Sequence, residues 1–211
     1  MFTNTLKGML VEYALSLPPL AVEFEFNPES MTRSRTVNFD SSALPVIDFM
    51  TPAEGNRIAQ AASVTAETIS FDILLDATDK MSDPTHIMHA VASQFGVEPE
   101  IAALRSMLEP KATGLGGFQV LSSLTGGATH AHERDEHLSV LLFVWGTHIL
   151  PVFMTSLNIE EQAHLPLLKP YRAKATINLQ ILESNNPFYQ AEQVQRMMNA
   201  AANVLNVPLP F

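Results

Sequence analysis

Hydrophobic and polar residues alternate with a period of two along several stretches of the chain. In 21–26, Val22, Phe24 and Phe26 alternate with Ala21, Glu23 and Glu25, the spacing of a strand with one face on a core and the other in water. Residues 68–76 repeat the pattern with Ile69, Phe71, Ile73 and Leu75, and Leu74 on the opposite side predicts partial cover of both faces. Residues 7–14 and 32–39 read as further strands, the second reached from 21–26 through the turn-forming Asn27-Pro28-Glu29-Ser30. The most apolar stretches, 138–145 and 149–157, flank Gly146-Thr147 and predict a long β-hairpin. In 171–183, Ala173, Ala175, Ile177, Leu179 and Ile181 alternate with Lys174, Thr176, Asn178 and Gln180 to give a last strand.

Three stretches carry helical spacing instead. Asp83-Pro84 reads as an N-cap followed by proline at the first helical position, with Ile87, Met88, Val91 and Phe95 as its apolar stripe and Gly96 as its end. A second helix is expected from Pro99 to Leu108, with Ile101, Leu104 and Leu108 on one side. The third runs from Pro187 to Leu205 with Phe188, Val194, Met197, Ala201 and Leu205 along one stripe, which must bury on its own domain or on a neighbour. Residues 40–65 and the glycine-rich 112–136 hold no period and read as a loop and a linker. The expected class is α+β and β-rich: an antiparallel sheet or β-barrel over 1–183, a helical insertion at about 83–108, and a C-terminal helix with an extended tail over 184–211.

Composition narrows the function. Lys and Arg number 12 against 22 Asp and Glu, a formal net charge of −10, and the bases form no run, which disfavours binding to nucleic-acid phosphates. The absence of cysteine removes disulfides, thiolate metal ligands and thiol nucleophiles. Glu12 interrupts the apolar N-terminal stretch and Pro18-Pro19 ends it, unlike a signal peptide. The run 138–154 contains Gly146, His148 and Pro151 and falls short of a membrane span. Synthesis in the cytoplasm is the expectation. Only 16% of residues are charged against about 25% in ordinary soluble domains; set beside the apolar hairpin of 138–157 and the uncharged stripe of the last helix, this suggests that much of the apparent surface is buried by neighbouring copies.

Candidate chemistry is sparse. His130, His132 and His137, with Glu133 or Glu136, hold enough imidazoles and carboxylates for a divalent ion. The residue four beyond His132 is Glu136, however, so the His-Glu-x-x-His spacing of a zinc hydrolase is missed. A solvated loop is the preferred reading, with a metal-dependent hydrolase kept as an alternative. A monomeric β-domain that binds a ligand or peptide is a second alternative. Gly114, Gly116-Gly117 and Gly126-Gly127 match no phosphate-binding loop, and no Gly-x-Ser-x-Gly elbow occurs. No cofactor is expected.

The order of these pieces carries a resemblance. An N-terminal strand precedes Val22-Glu-Phe-Glu-Phe-Asn27-Pro28, and Arg33-Ser-Arg-Thr-Val-Asn-Phe39 follows. Ile69-Ser-Phe-Asp-Ile-Leu-Leu-Asp-Ala-Thr-Asp79 then leads into a helix. Leu141-Leu-Phe-Val-Trp145-Gly146 and Lys169-Pro170-Tyr171-Arg172-Ala173 complete the series. Over residues 6–183 the chain resembles the tube-domain family of contractile injection systems and contractile phage tails. The resemblance implies a tube-like β fold in a homo-hexameric ring that connects a central spike to the inner tube and initiates tube assembly. Its partners would be its own copies, the inner tube protein, the spike and baseplate proteins, within an assembled particle. Phe26, Asn27, Pro28, Trp145, Gly146, Pro170 and Arg172 become fold or interface positions, and no catalytic residue is implied. Many members carry a C-terminal LysM module, whereas here a helix-patterned stretch follows Glu183.

Overall fold

The computed structural model describes residues 6–13, 20–38, 62–112, 136–183 and 187–204. Its centre is a seven-stranded sheet in which every neighbouring pair is antiparallel. The strands are β1 (Met9–Glu12), β2 (Ala21–Glu23), β3 (Met31–Ser34), β6 (Thr68–Asp76), β9 (Leu141–Trp145), β10 (His148–His164) and β11 (Pro170–Ile181), in the order β2-β1-β9-β10-β11-β6-β3. The sheet curls into a half-barrel. Short ladders join β4 (Val37–Asn38) to β5 (Ser63–Val64) and β7 (Lys111–Ala112) to β8 (Glu136–His137). Residues 39–61 and 113–135, which hold most of the expected loop and linker, lie outside the described residues.

The alternating positions face inward as their spacing requires. Leu10, Val22, Phe24, Ile69, Ile73, Leu141, Phe143, Leu150, Val152, Ala173, Ala175, Ile177 and Leu179 are all nearly or wholly buried. Phe24, Phe71 and Phe143 form an aromatic cluster at its heart, with centroids 5.4 to 6.4 Å apart. The expected hairpin forms around Gly146, whose φ of +61° at the first central position suits a type II′ turn. β10 continues seven residues past the expected end at Leu157, to His164, because its far half pairs with the start of β11.

The helical insertion departs from expectation at its start. The Asp83 carboxylate accepts hydrogen bonds from the Thr85 N–H at 2.9 Å and the Thr85 hydroxyl at 2.7 Å. That local turn competes with an N-cap, and the helix opens later, at His89. Three helices result: α1 (Thr78–Ser82), α2 (His89–Phe95) and α3 (Glu98–Leu108). The stripe assigned to α2 is not buried: Ile87, Met88, Val91 and Phe95 are exposed, and Ala92 alone faces the core. Its small side chain allows the α2–α3 junction to approach the sheet. Gly96, at φ +59°, lies so close that a Cβ would stand 2.1 Å from the Pro170 carbonyl oxygen, which accepts the Val97 N–H at 2.9 Å.

α3 follows its pattern. Ile101, Leu104 and Met107 are buried against β10 and β2, acids occupy its first turn and Arg105 its last, and these charges complement the helix dipole. Lys80 ties α1 to this unit through Glu25 at 2.9 Å and Glu100 at 3.0 Å. Burial disfavours the Lys80 charge, but the two carboxylates outweigh it and raise its pKa. The final helix, α4 (Pro187–Val204), lies on β10 with Val194, Met197 and Ala201 exposed, so of the two expected places of burial its own domain does not cover the stripe.

Candidate assembly surface

The residues singled out in the sequence fall into two groups. Asn27 fastens the N-terminal segment: its Oδ1 accepts the Gly8 N–H at 2.9 Å and its Nδ2 donates to the Leu6 carbonyl at 2.9 Å. Trp145 stacks on Phe143 with centroids 6.2 Å apart and covers Gly8, where a Cβ would meet the Trp145 and Phe24 rings at 2.7 Å. Pro170 is buried beneath the α2–α3 junction. Arg172 aims Nε and Nη2 at one oxygen of the mostly buried Asp76, at 2.7 and 2.6 Å, while the other oxygen accepts the Thr78 N–H at 2.9 Å. Burial disfavours the Asp76 charge, yet the bonds from Thr78 and Arg172 prevail and hold its pKa below the ordinary value. These side chains hold the sheet to its loops.

Phe26 and Pro28 are different. Phe26 is half exposed and joined to Leu74 by an isolated bridge. With Pro28, Glu29, Ser30 and the Asp72–Lys174 ion pair it lines an open groove of about 430 Å³ beside β6. The groove marks where the chain leaves the sheet edge between Phe26 and Met31.

Larger surfaces stand on β10. β9 pairs with it only from His148 to Val152, while β11 follows the other side to His164. Among the described residues, the β9-side edge of 153–164 therefore has no ladder partner. A long bare edge is a template for another strand. At the far end of β10, Leu167 and Leu168 are 77% and 82% exposed, and Phe95 lies under the Lys169 ammonium at 3.9 Å. Ile87 and Val91 are exposed as well.

Other features escaped the sequence reading. Glu12 is wholly buried and accepts hydrogen bonds from Lys111 and Ser139, both at 2.6 Å. It thereby clamps both roots of the segment between β7 and β8. The signal for it was an acid at an inward position of an alternating strand. Glu192 and Arg196, the two charged residues of α4, were visible as an i, i+4 pair, although nothing local showed that they face the sheet.

His130 and His132 lie outside the described residues, and His137 enters only through the backbone pairing of β8 with β7. Among the described residues no group of three His, Asp or Glu is placed to hold a metal ion, and no helix is long and apolar enough to cross a membrane.

A curled antiparallel sheet whose β10 edge is open among the described residues, with most of the singled-out side chains bracing loops, has the form of a structural building block. Residues 12–188 match the family model of the contractile injection system tube protein, and the chain belongs to that family. It is a structural component of such a system and assembles with other components in a particle. A search of curated proteins returned no match.

Proposed function

We propose that copies of this chain form a six-membered ring that connects the central spike to the inner tube and starts tube assembly. The observation that carries the reading is the β10 edge over 153–164, which no described strand of the same chain covers. A strand of an adjacent copy would satisfy its backbone groups, and closed rotation of such head-to-tail contacts gives a ring. The exposed apolar residues at the far end of β10 and along α4 offer further area to the tube above and the spike below. The low charge noted in the sequence fits surfaces covered on assembly.

The test is imaging of the purified chain, alone and with tube and spike proteins. Six-fold rings seated between tube and spike are expected. The double variant Thr155→Lys and Asn158→Lys, at exposed edge positions, should remain folded and fail to form rings, since charge on an edge blocks pairing. Monomers under all conditions, or rings unaffected by the edge lysines, would refute this assignment.

A further inference from the structure

Helix α4 turns its apolar stripe away from its own sheet. Val194, Met197 and Met198 are exposed by 50%, 64% and 68%, while Glu192 and Arg196 point at the sheet. Of its described side chains only Tyr189 and Glu192 are buried, with Phe188 adding an edge contact to Tyr13 at 6.1 Å. Beneath the helix, a cleft of about 110 Å³ lined by Thr147, Ile149, Phe188, Ala191, Glu192 and Gln195 leaves the interface incompletely packed.

Alternating charges supply the fastening. Nδ1 of His148, on the first residue of β10, stands 2.8 Å from Oε2 of Glu192. The other Glu192 oxygen accepts Arg196 Nε at 3.1 Å. Arg196 Nη1 reaches Glu67, just before β6, at 2.9 Å, and Arg33 of β3 stands 3.8 Å from the same carboxylate. Glu183, beyond β11, accepts the Glu67 N–H at 3.2 Å and pairs with Arg35 at 2.7 Å. With the imidazole neutral, the carboxylates of Glu192, Glu67 and Glu183 balance the guanidinium groups of Arg196, Arg33 and Arg35. Protonation of His148 adds a positive charge beside a deeply buried acid.

We propose that α4 is a latch responsive to pH and salt, held on the sheet by the His148–Glu192–Arg196–Glu67 chain in mildly acidic solution and loosened as the imidazole loses its proton. The inference is independent of the ring. Histidine changes charge between about pH 5 and 8, so attraction to Glu192 is greatest below that interval and weakest above it. Burial works against the Glu192 charge, but bonds from His148 and Arg196 prevail and hold its pKa below the ordinary carboxylate value. Glu192 therefore stays ionised through the mildly acidic range, and only stronger acid removes its charge.

Amide hydrogen exchange on the full chain, read as protection factors, tests the latch with α3 as internal reference. From about pH 5 to pH 8, the interval over which histidine side chains in general change charge, protection over Pro187–Val204 should fall while that over Glu98–Leu108 holds. Salt at about 1 M, where the screening length is about 3 Å, should act in the same direction. Glu192→Gln should lower α4 protection about ten- to a hundredfold, the effect of removing a charged hydrogen-bond partner. His148→Gln, at a partly exposed position beside the hairpin turn, should fold normally and erase the pH response. The idea is overturned if α4 protection is indifferent to pH and to His148→Gln, or if α3 loses protection in parallel.

Discussion

Helices α3 and α4 both lie on β10, yet they are attached by opposite means. α3 sinks Ile101, Leu104 and Met107 into the core and keeps its charges at its ends. α4 sends its one acid and its one base to the sheet and leaves Val194, Met197 and Met198 in the open. Apolar burial is indifferent to pH and hardly screened, whereas ion pairs depend on both protonation and salt. One helix is therefore part of the domain's cooperative fold, and the other is an appendage whose attachment follows the solution.

The sharpest break of this contrast lies at the root of α3. Gly96→Ala would force a Cβ against the Pro170 carbonyl at a left-handed φ, and a loss of about 4 kcal/mol is expected, read by chemical denaturation. Leu104→Ala removes a wholly buried side chain and should cost about 3 kcal/mol in the same measurement. Glu192→Gln takes the shared carboxylate from His148 and from Arg196, which keeps only Glu67; about 2 kcal/mol should vanish from α4 docking while the denaturation midpoint of the sheet stays put. The same attachment carries an acid limit. Because the Glu192 pKa is lowered on folding, its contribution is present above the ordinary carboxylate value. It is lost as pH falls through the lowered one, and α4 exchange should rise there. Met197→Ala, on the open face, should change the stability of the isolated chain by no more than about 0.5 kcal/mol. A large effect there would mean that the outward face is already covered within one molecule.

The strands were the legible part of the sequence. Period-two alternation placed β6 with its observed bounds and put Ile177 and Leu179 on the buried face, because a one-residue slip would expose the whole set. The hairpin at Gly146 followed from its turn chemistry. Helical faces were less legible. Val91 and Phe95 share a stripe on α2, but tight approach of Gly96 to Pro170 decides which side faces in, and that contact joins residues far apart in the chain. For α4 the pattern left two places of burial open, and the inward face was hidden because Glu192 finds His148 and Arg196 finds Glu67 only after the sheet has formed. Among the positions expected to serve fold or interface, Asn27, Trp145, Pro170 and Arg172 make contacts within the chain. Their residue types alone do not separate bracing a fold from meeting a neighbour.

The clamp at Glu12 has a consequence for how such a chain can change over generations. Lys111–Ala112 and Glu136–His137 are paired to each other, and Lys111 and Ser139 are held by one buried carboxylate. The two roots of the intervening segment are thus fixed by the body of the domain, whatever lies between them. Lengthening a loop whose ends are already fixed costs only about 0.6 kcal/mol per doubling. The clamp therefore makes this point a natural port for insertion and exchange, where new sequence can be tried without renegotiating the fold.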